Sequence, residues 1–289
     1  MPELPEVEVV RRGLEAQLLG ARFSQLEILT PGVVQAAPDL LKQLPGQELL
    51  AVMRRAKYLI LVLSQDRILI HLRMTGQVLV TPAETSKALL PLPFTYYQRP
   101  LNNLPDKHTH GIFHFADQRR LFYRDIRKFG RVQLLSAPQL DQWPALLKLG
   151  PEPLENTFNY QTLASTLGRS QRNIKAWLLD QTNIAGLGNI YVDEALFVAG
   201  ILPRRSVESL KPAEIRRLLK AIPQVLQKGI NAGGTSLKDY LHPDGQRGSH
   251  QEHLFVYGRG GQPCFQCQQT IVKTTLAQRG THYCPHCQR

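Results

Sequence analysis

CFQCQQTIVKTTLAQRGTHYCPHC, residues 264–287, holds every cysteine of a 289-residue chain as two CxxC pairs, Cys264/Cys267 and Cys284/Cys287. Two tight thiolate knuckles separated by a short hairpin can close a tetrahedron around one ion, so the stretch reads as a ribbon holding one structural Zn2+. With all four positions taken by thiolate there is no place for an activated water, and no organic cofactor is expected. The tail has no Asp or Glu after Glu252, and its charged residues are Arg259, Lys273, Arg279 and Arg289. A metal-stapled hairpin carrying only positive charge suits contact with phosphate.

The rest of the chain agrees with such a partner. A net charge of +12 points to a polyanion, most often nucleic acid, over a merely solubilising surface. No apolar run approaches the ~20 residues that span a bilayer, and the acidic, proline-punctuated start MPELPEVE is no signal peptide. A cytoplasmic protein is expected, in which four cysteines favour metal over disulfide.

The first helix is predicted from Pro5, with Glu3, Glu6 and Glu8 at the positive end of its dipole and Val7, Val10, Leu14 and Leu18 on one face. YLILVL (58–63), RILIHLRM (67–74), GQVLV (76–80), IFHFA (112–116) and RLFYRD (120–125) read as short strands of a β-sandwich or barrel. Residues 81–107, with five prolines, interrupt them as a loop or insertion. Residues 136–153, with four prolines, read as an interdomain linker. Beyond lie helical segments at 174–181, 189–200 and 213–230, the last bent or broken at Pro223. Residues 233–251 read as a polar, glycine-rich mobile loop.

The Met-Pro start has chemical potential. Methionine is normally trimmed before a small residue, which would expose the Pro2 nitrogen as a secondary amine. An adjacent helix N-terminus disfavours its protonated form. A neutral secondary amine attacks a sugar C1′ and gives an iminium ion, with Glu3 beside it as acid or base. Taken alone, Met-Pro is a common start without meaning. In QTNIAGLGNIYVDEALF (181–197), Gly186 and Gly188 precede a helix starting at Asn189, a turn that lets phosphate approach backbone. A dinucleotide fingerprint fits poorly there, because a helix precedes it and Tyr191 stands where a third glycine is needed.

Together MPELPEVE, RRAKYL (54–59), AGLGNIYVDEALF (185–197) and YGRGGQPC…RGTHYCPHCQ (257–288) resemble the bacterial formamidopyrimidine-DNA glycosylases, in the right order and end to end except for 81–107. The resemblance implies an α+β fold of two domains. Residues 1–135 would be an N-terminal β-sandwich with a leading helix, and 136–153 the linker. Residues 154–250 would be a helix-two-turns-helix DNA-binding domain whose loop 235–251 closes over an extruded base, and 251–289 the zinc ribbon. It also implies a base-excision-repair glycosylase and AP lyase that removes oxidised purines, chiefly 8-oxoguanine and formamidopyrimidines, then nicks the strand by β,δ-elimination. The partner would be double-stranded DNA holding an oxidised base or abasic site, the protein a nucleoid-associated monomer.

By the same resemblance Pro2 is the nucleophile, Glu3 protonates the sugar and Glu6 is a second acid of the motif. Lys57 binds a phosphate flanking the lesion, and Arg279 is the fingertip arginine linked to δ-elimination. Met74, Arg127 and Phe129 fill the hole left by the flipped nucleotide, where an apolar wedge replaces lost stacking. On spacing alone Met74 and Phe129 would read as core. Lys128 stands where many relatives have a second arginine. Further DNA contacts fall on His71, His108, Asn189 and Tyr257, with Arg172 and Lys175 in a basic stretch. Two readings compete: an endonuclease VIII-like enzyme for oxidised pyrimidines, which usually has glycine where this chain has Leu4, and a non-catalytic damage binder, against which Pro2, Glu3 and Lys57 argue.

Overall fold

The computed structural model describes residues 1–81, 104–168, 170–236, 242–244 and 247–289. Most of the predicted 81–107 loop and part of the 235–251 loop lie outside these residues. The chain divides into two units, one of residues 1–144 with 232–249 and one of 145–231 with 250–289.

In the first unit, helix α1 (Leu4–Leu18) begins with Pro5 fitting its first turn and buries Leu4, Val7, Val10, Leu14 and Leu18 on one stripe. Two sheets follow. One has the order β1 (Phe23–Ile28), β7 (Thr109–Phe115), β8 (Arg120–Asp125), β6 (Gly76–Thr81). The other has the order β2 (Val34–Ala36), β9 (Arg131–Ser136), β5 (Asp66–His71), β4 (Tyr58–Leu63), β3 (Leu49–Arg55). All pairings in these two sheets are antiparallel except β2 with β9. Both sheets and α1 share one core, in which Val7 and Leu14 join Phe23, Leu59, Ile68, Val78, Phe113 and Val132. The short helix α2 (Pro38–Gln43) buries no residue.

The sequence did not announce β3, because Leu50 and Met53 alternate outward and stay half exposed while Leu49 and Val52 face the core. Nor does the strand predicted over 67–74 run to its end. It stops at His71, where Arg73 takes a positive φ of 52° and the Gly76 N–H closes a tight turn onto the Leu72 carbonyl at 3.0 Å. Residues 232–249, assigned by sequence to the helical domain, group instead with the β unit: the Val80 N–H donates to the Pro243 carbonyl at 3.1 Å.

The second unit contains α4 and its successors, the short α3 (Ala137–Asp141) lying before its boundary. These helices are α4 (Pro144–Leu147), α5 (Tyr160–Leu167), α6 (Ile174–Leu179), α7 (Asn189–Ala199) and α8 (Pro212–Asn231), followed by the hairpin β10 (Val272–Leu276) and β11 (Arg279–Tyr283). Helix α8 continues through Pro223. An interior proline costs about 3 kcal/mol, but Leu218, Ile222, Val225, Leu226 and Ile230 are all buried along the helix, each worth roughly 1.5–3 kcal/mol.

Candidate active site and nucleic-acid interface

At the start of the first unit, Pro2 is buried and followed by Glu3 as the N-cap of α1. Glu3 and Glu6 are 3% and 1% exposed. One Glu6 oxygen accepts the Glu3 N–H at 2.8 Å, and the other accepts the Thr235 N–H at 2.8 Å. Glu6 therefore joins the chain start to residue 235.

Lys57 lies in the two-residue turn between β3 and β4, where Arg55 pairs with Tyr58 and Ala56 takes a φ of 51°. An L-residue there is strained, and Arg54 helps to hold it by donating to the Ala56 carbonyl at 3.0 Å. The Arg54 guanidinium also meets Glu8 of α1 at 3.1 Å, which ties the lysine-bearing turn to the helix that presents Pro2 and Glu3. Burial opposes ionisation of Glu8, but hydrogen bonds from Arg12 and Arg11 prevail and hold its carboxyl below the usual range.

His71, opposite Tyr58 in the β4–β5 ladder, accepts the Arg73 N–H at Nδ1 (3.0 Å). The proton of its neutral ring therefore sits on Nε2, which is left as a donor. Burial, aided by the Arg73 and Lys57 charges, pulls its pKa down to about 3. His108 lies directly before β7, its carbonyl accepting the Asp125 N–H at 2.9 Å.

Met74, Arg127 and Phe129 come together as one cluster. The Arg127 guanidinium contacts the Met74 sulfur at 3.1 Å and stacks on the Phe129 ring at 4.4 Å. Met74 and Phe129 are 42% and 48% exposed, so neither is a core residue.

In the second unit the four thiols gather. Their sulfurs lie within 4.8 Å of one another, Cys264–Cys287 at 3.9 Å and Cys267–Cys284 at 3.4 Å. Zinc–sulfur bonds of ~2.3 Å in a tetrahedron place sulfurs ~3.8 Å apart, so the set fits one zinc ion and is too open for disulfides. Cys264 and Cys284 pack with Phe197, Val256 and Ile271. Arg279 stands exposed directly after the two-residue turn Ala277–Gln278, whose φ values of 51° and 58° are those of a type I′ hairpin.

Lys175 corrects the sequence reading. It lies inside α6, fully buried, and its Nζ donates to Asp193 at 2.7 Å and to the Gly280 carbonyl at 2.9 Å. A buried ammonium needs such a partner, and here the pair braces the hairpin beside Arg279 rather than reaching for phosphate. Asn189 Nδ2 donates to the same carbonyl at 2.9 Å. Arg172 is exposed but tied to Asp180 at 3.0 Å. Tyr257 is held through its backbone, since the Glu194 carboxylate accepts the N–H groups of Phe255, Val256 and Tyr257 at 2.8–2.9 Å. Asp193, Glu194, Glu8 and Arg54 were not read as site residues from sequence. All four lie within the motif stretches quoted above, but Glu8–Arg54, Lys175–Asp193 and Glu194 with residues 255–257 join positions far apart in the chain, which spacing does not show.

A β-sandwich opened by a helix with a buried Pro-Glu start, and a helical unit ending in a four-thiolate hairpin, define a zinc-finger DNA glycosylase. Family models agree: the formamidopyrimidine-DNA glycosylase N-terminal domain matches residues 1–132, its H2TH domain 149–240, and the zinc finger found in FPG and IleRS 261–289. The chain is 43% identical to the formamidopyrimidine-DNA glycosylase of Enterococcus faecalis over 100% of its length and 98% of the relative's. It is 41% identical to that of Geobacillus kaustophilus over the full length of both. A Lactococcus lactis FPG (MutM) complex with FAPY-dG DNA superposes at a TM-score of 0.84 with 37% identity, covering 99% of this chain and 100% of that one. A MutM complex with DNA containing carbocyclic 8-oxo-G also gives 0.84 at 37%, with 100% coverage of both. The chain belongs to the formamidopyrimidine-DNA glycosylase family, enzymes of base excision repair that combine glycosylase and AP lyase activity, and its four cysteines form a structural zinc site.

Proposed function

We propose that this enzyme excises oxidised purines from duplex DNA through a covalent Pro2 intermediate and then breaks the strand on both sides of the lesion. The observation that carries the reading is the buried Pro2–Glu3 start, fixed at the head of α1 by the Glu6 clamp. Removal of the half-exposed Met1 frees the Pro2 amine. That amine attacks C1′, Glu3 donates a proton to the opening sugar, and the base departs with its bonding electrons and a proton. The resulting iminium acidifies C2′, so the 3′ phosphate and then the 5′ phosphate leave by elimination. Lys57 and Arg279 bind the phosphates flanking the lesion, and His71, through Nε2–H, adds a neutral donor. His108, Asn189, Tyr257 and Arg172 supply further backbone contacts. Met74, Arg127 and Phe129 fill the vacated stack, with Arg127 facing the orphaned base. The zinc ion stiffens the hairpin that presents Arg279.

Among the described residues no helix is long and apolar enough to cross a membrane. A substrate of chromosomal DNA supports a cytoplasmic, nucleoid-associated protein. The test is borohydride trapping on an 8-oxoguanine duplex. A covalent protein–DNA adduct is expected, lost when the Pro2 amine is blocked. An unchanged adduct with the amine blocked would overturn the assignment. The same assay on thymine glycol separates this reading from an oxidised-pyrimidine enzyme.

A further inference from the structure

Two turns carry the three side chains proposed to enter the DNA stack. Met74 lies in the turn after β5, and Arg127 and Phe129 lie in the turn between β8 and β9. One carboxylate joins the turns from below. Asp125, fully buried, accepts the Thr75 hydroxyl (2.5 Å) and the Arg127 N–H (3.1 Å) at Oδ1, and the Gly130 N–H (2.7 Å) at Oδ2. The Thr75 hydroxyl oxygen accepts the Arg127 N–H as well, at 3.2 Å. Asp125 thus brackets the exposed residues 126–129 at both ends, and through Thr75 it reaches the residue next to Met74.

The remaining backbone of Asp125 is fixed too. Its N–H donates to the His108 carbonyl at 2.9 Å, and its carbonyl accepts His110 Nε2–H at 2.8 Å. Tyr123 forms the floor. A Cβ added at Gly76 would meet the Leu72 carbonyl at 2.5 Å and the Tyr123 hydroxyl at 2.9 Å, and one at Gly130 would collide with that hydroxyl. Glycine is therefore required at both positions, Gly76 closing the first turn and Gly130 ending the second. A wedge that enters DNA meets resistance from the stack, so it works best when its shape is set beforehand and little order is lost on binding.

We propose that Asp125, acting through Thr75, is the positioning residue that makes the two turns move into DNA as a single preformed wedge. The inference rests on the reading of Met74, Arg127 and Phe129 as inserting side chains and adds what holds them in register. In Asp125→Asn an amide N–H2 replaces Oδ2 or Oδ1, so one backbone or hydroxyl donor faces another donor.

The experiment compares two reactions of the full-length zinc-loaded enzyme. Single-turnover excision of 8-oxoguanine from a duplex requires the wedge, whereas borohydride trapping on a single-stranded abasic site does not. Asp125→Asn is expected to slow the first by about tenfold or more, with the second changed by less than about twofold. Thr75→Val should behave likewise, and Thr75→Ser, which keeps the hydroxyl, should retain the parent rate. This pair answers the question even if Asp125→Asn fails to fold. Equal losses in both reactions would mean a merely structural role and overturn the proposal, as would parent-like excision by Asp125→Asn and Thr75→Val while Arg127→Ala is slow. If Arg127→Ala and Phe129→Ala are also parent-like, the wedge reading itself fails.

Discussion

His71 illustrates how one neighbour settles a side chain's chemistry. The Arg73 N–H occupies Nδ1, so the ring offers a donor at Nε2 while neutral. Its pKa of about 3 in the folded chain lies below the ~6.5 of a free histidine. Between those values the unfolded chain binds more protons, so stability is present above pH 6.5 and is lost as pH falls toward 3. His71→Gln should accordingly lose less thermal stability than the parent on going from pH 7 to pH 4. Parallel melting curves across that range would remove His71 as a source of acid sensitivity. At this scale the resemblance supplied Met74, Arg127 and Phe129, of which Met74 and Phe129 would read as core on spacing alone. Asp125 escaped notice because an aspartate before a turn is ordinary turn chemistry; its value lies in Thr75, fifty residues away.

The zinc hairpin is an element whose sequence signal was complete, since four thiolates at fixed spacing define both ligand set and turn. What the spacing leaves open is where the hairpin is moored. The Lys175–Asp193 pair and Asn189 hold it at the Gly280 carbonyl, and the His282 N–H donates to Asp193 at 2.9 Å. Cys284→Ala removes one ligand and with it the stiffness behind Arg279. We expect DNA affinity to fall by about tenfold or more, equivalent to ~1.4 kcal/mol or greater, while near-ultraviolet signals of the β unit persist. Retained zinc with normal affinity would contradict the role given to the ribbon. Helix α8 shows the opposite case: Pro223 reads in sequence as a bend or a break, and a buried apolar stripe on both sides of it rules out the break and keeps the helix continuous.

For the whole molecule, the surplus of positive charge makes a measurable prediction. Affinity for undamaged duplex should fall with salt on a log–log plot, with a slope of about −0.9 per phosphate neutralised. Arg279→Ala should reduce that slope by about one, whereas His71→Gln, which removes a neutral donor, should weaken binding without changing it. A slope indifferent to Arg279 would deny its phosphate contact. Composition and periodicity made the two kinds of structure legible, strands before helices, and the cysteines made the metal legible. They did not show that residues 232–249 return to the β unit, because the Glu6–Thr235 hydrogen bond spans 229 residues.

The sequence by itself determined the zinc ligands, the helical face of α1, the strand-rich first half and the polyanionic partner. Each is encoded in spacing over a few residues or in a sum over all of them. Only the tertiary structure decided that Lys175 braces rather than binds, that Glu6 clamps the chain start, and that Asp125 joins two turns. Those roles depend on which distant groups share a dry site, where a buried charge or N–H must find its partner.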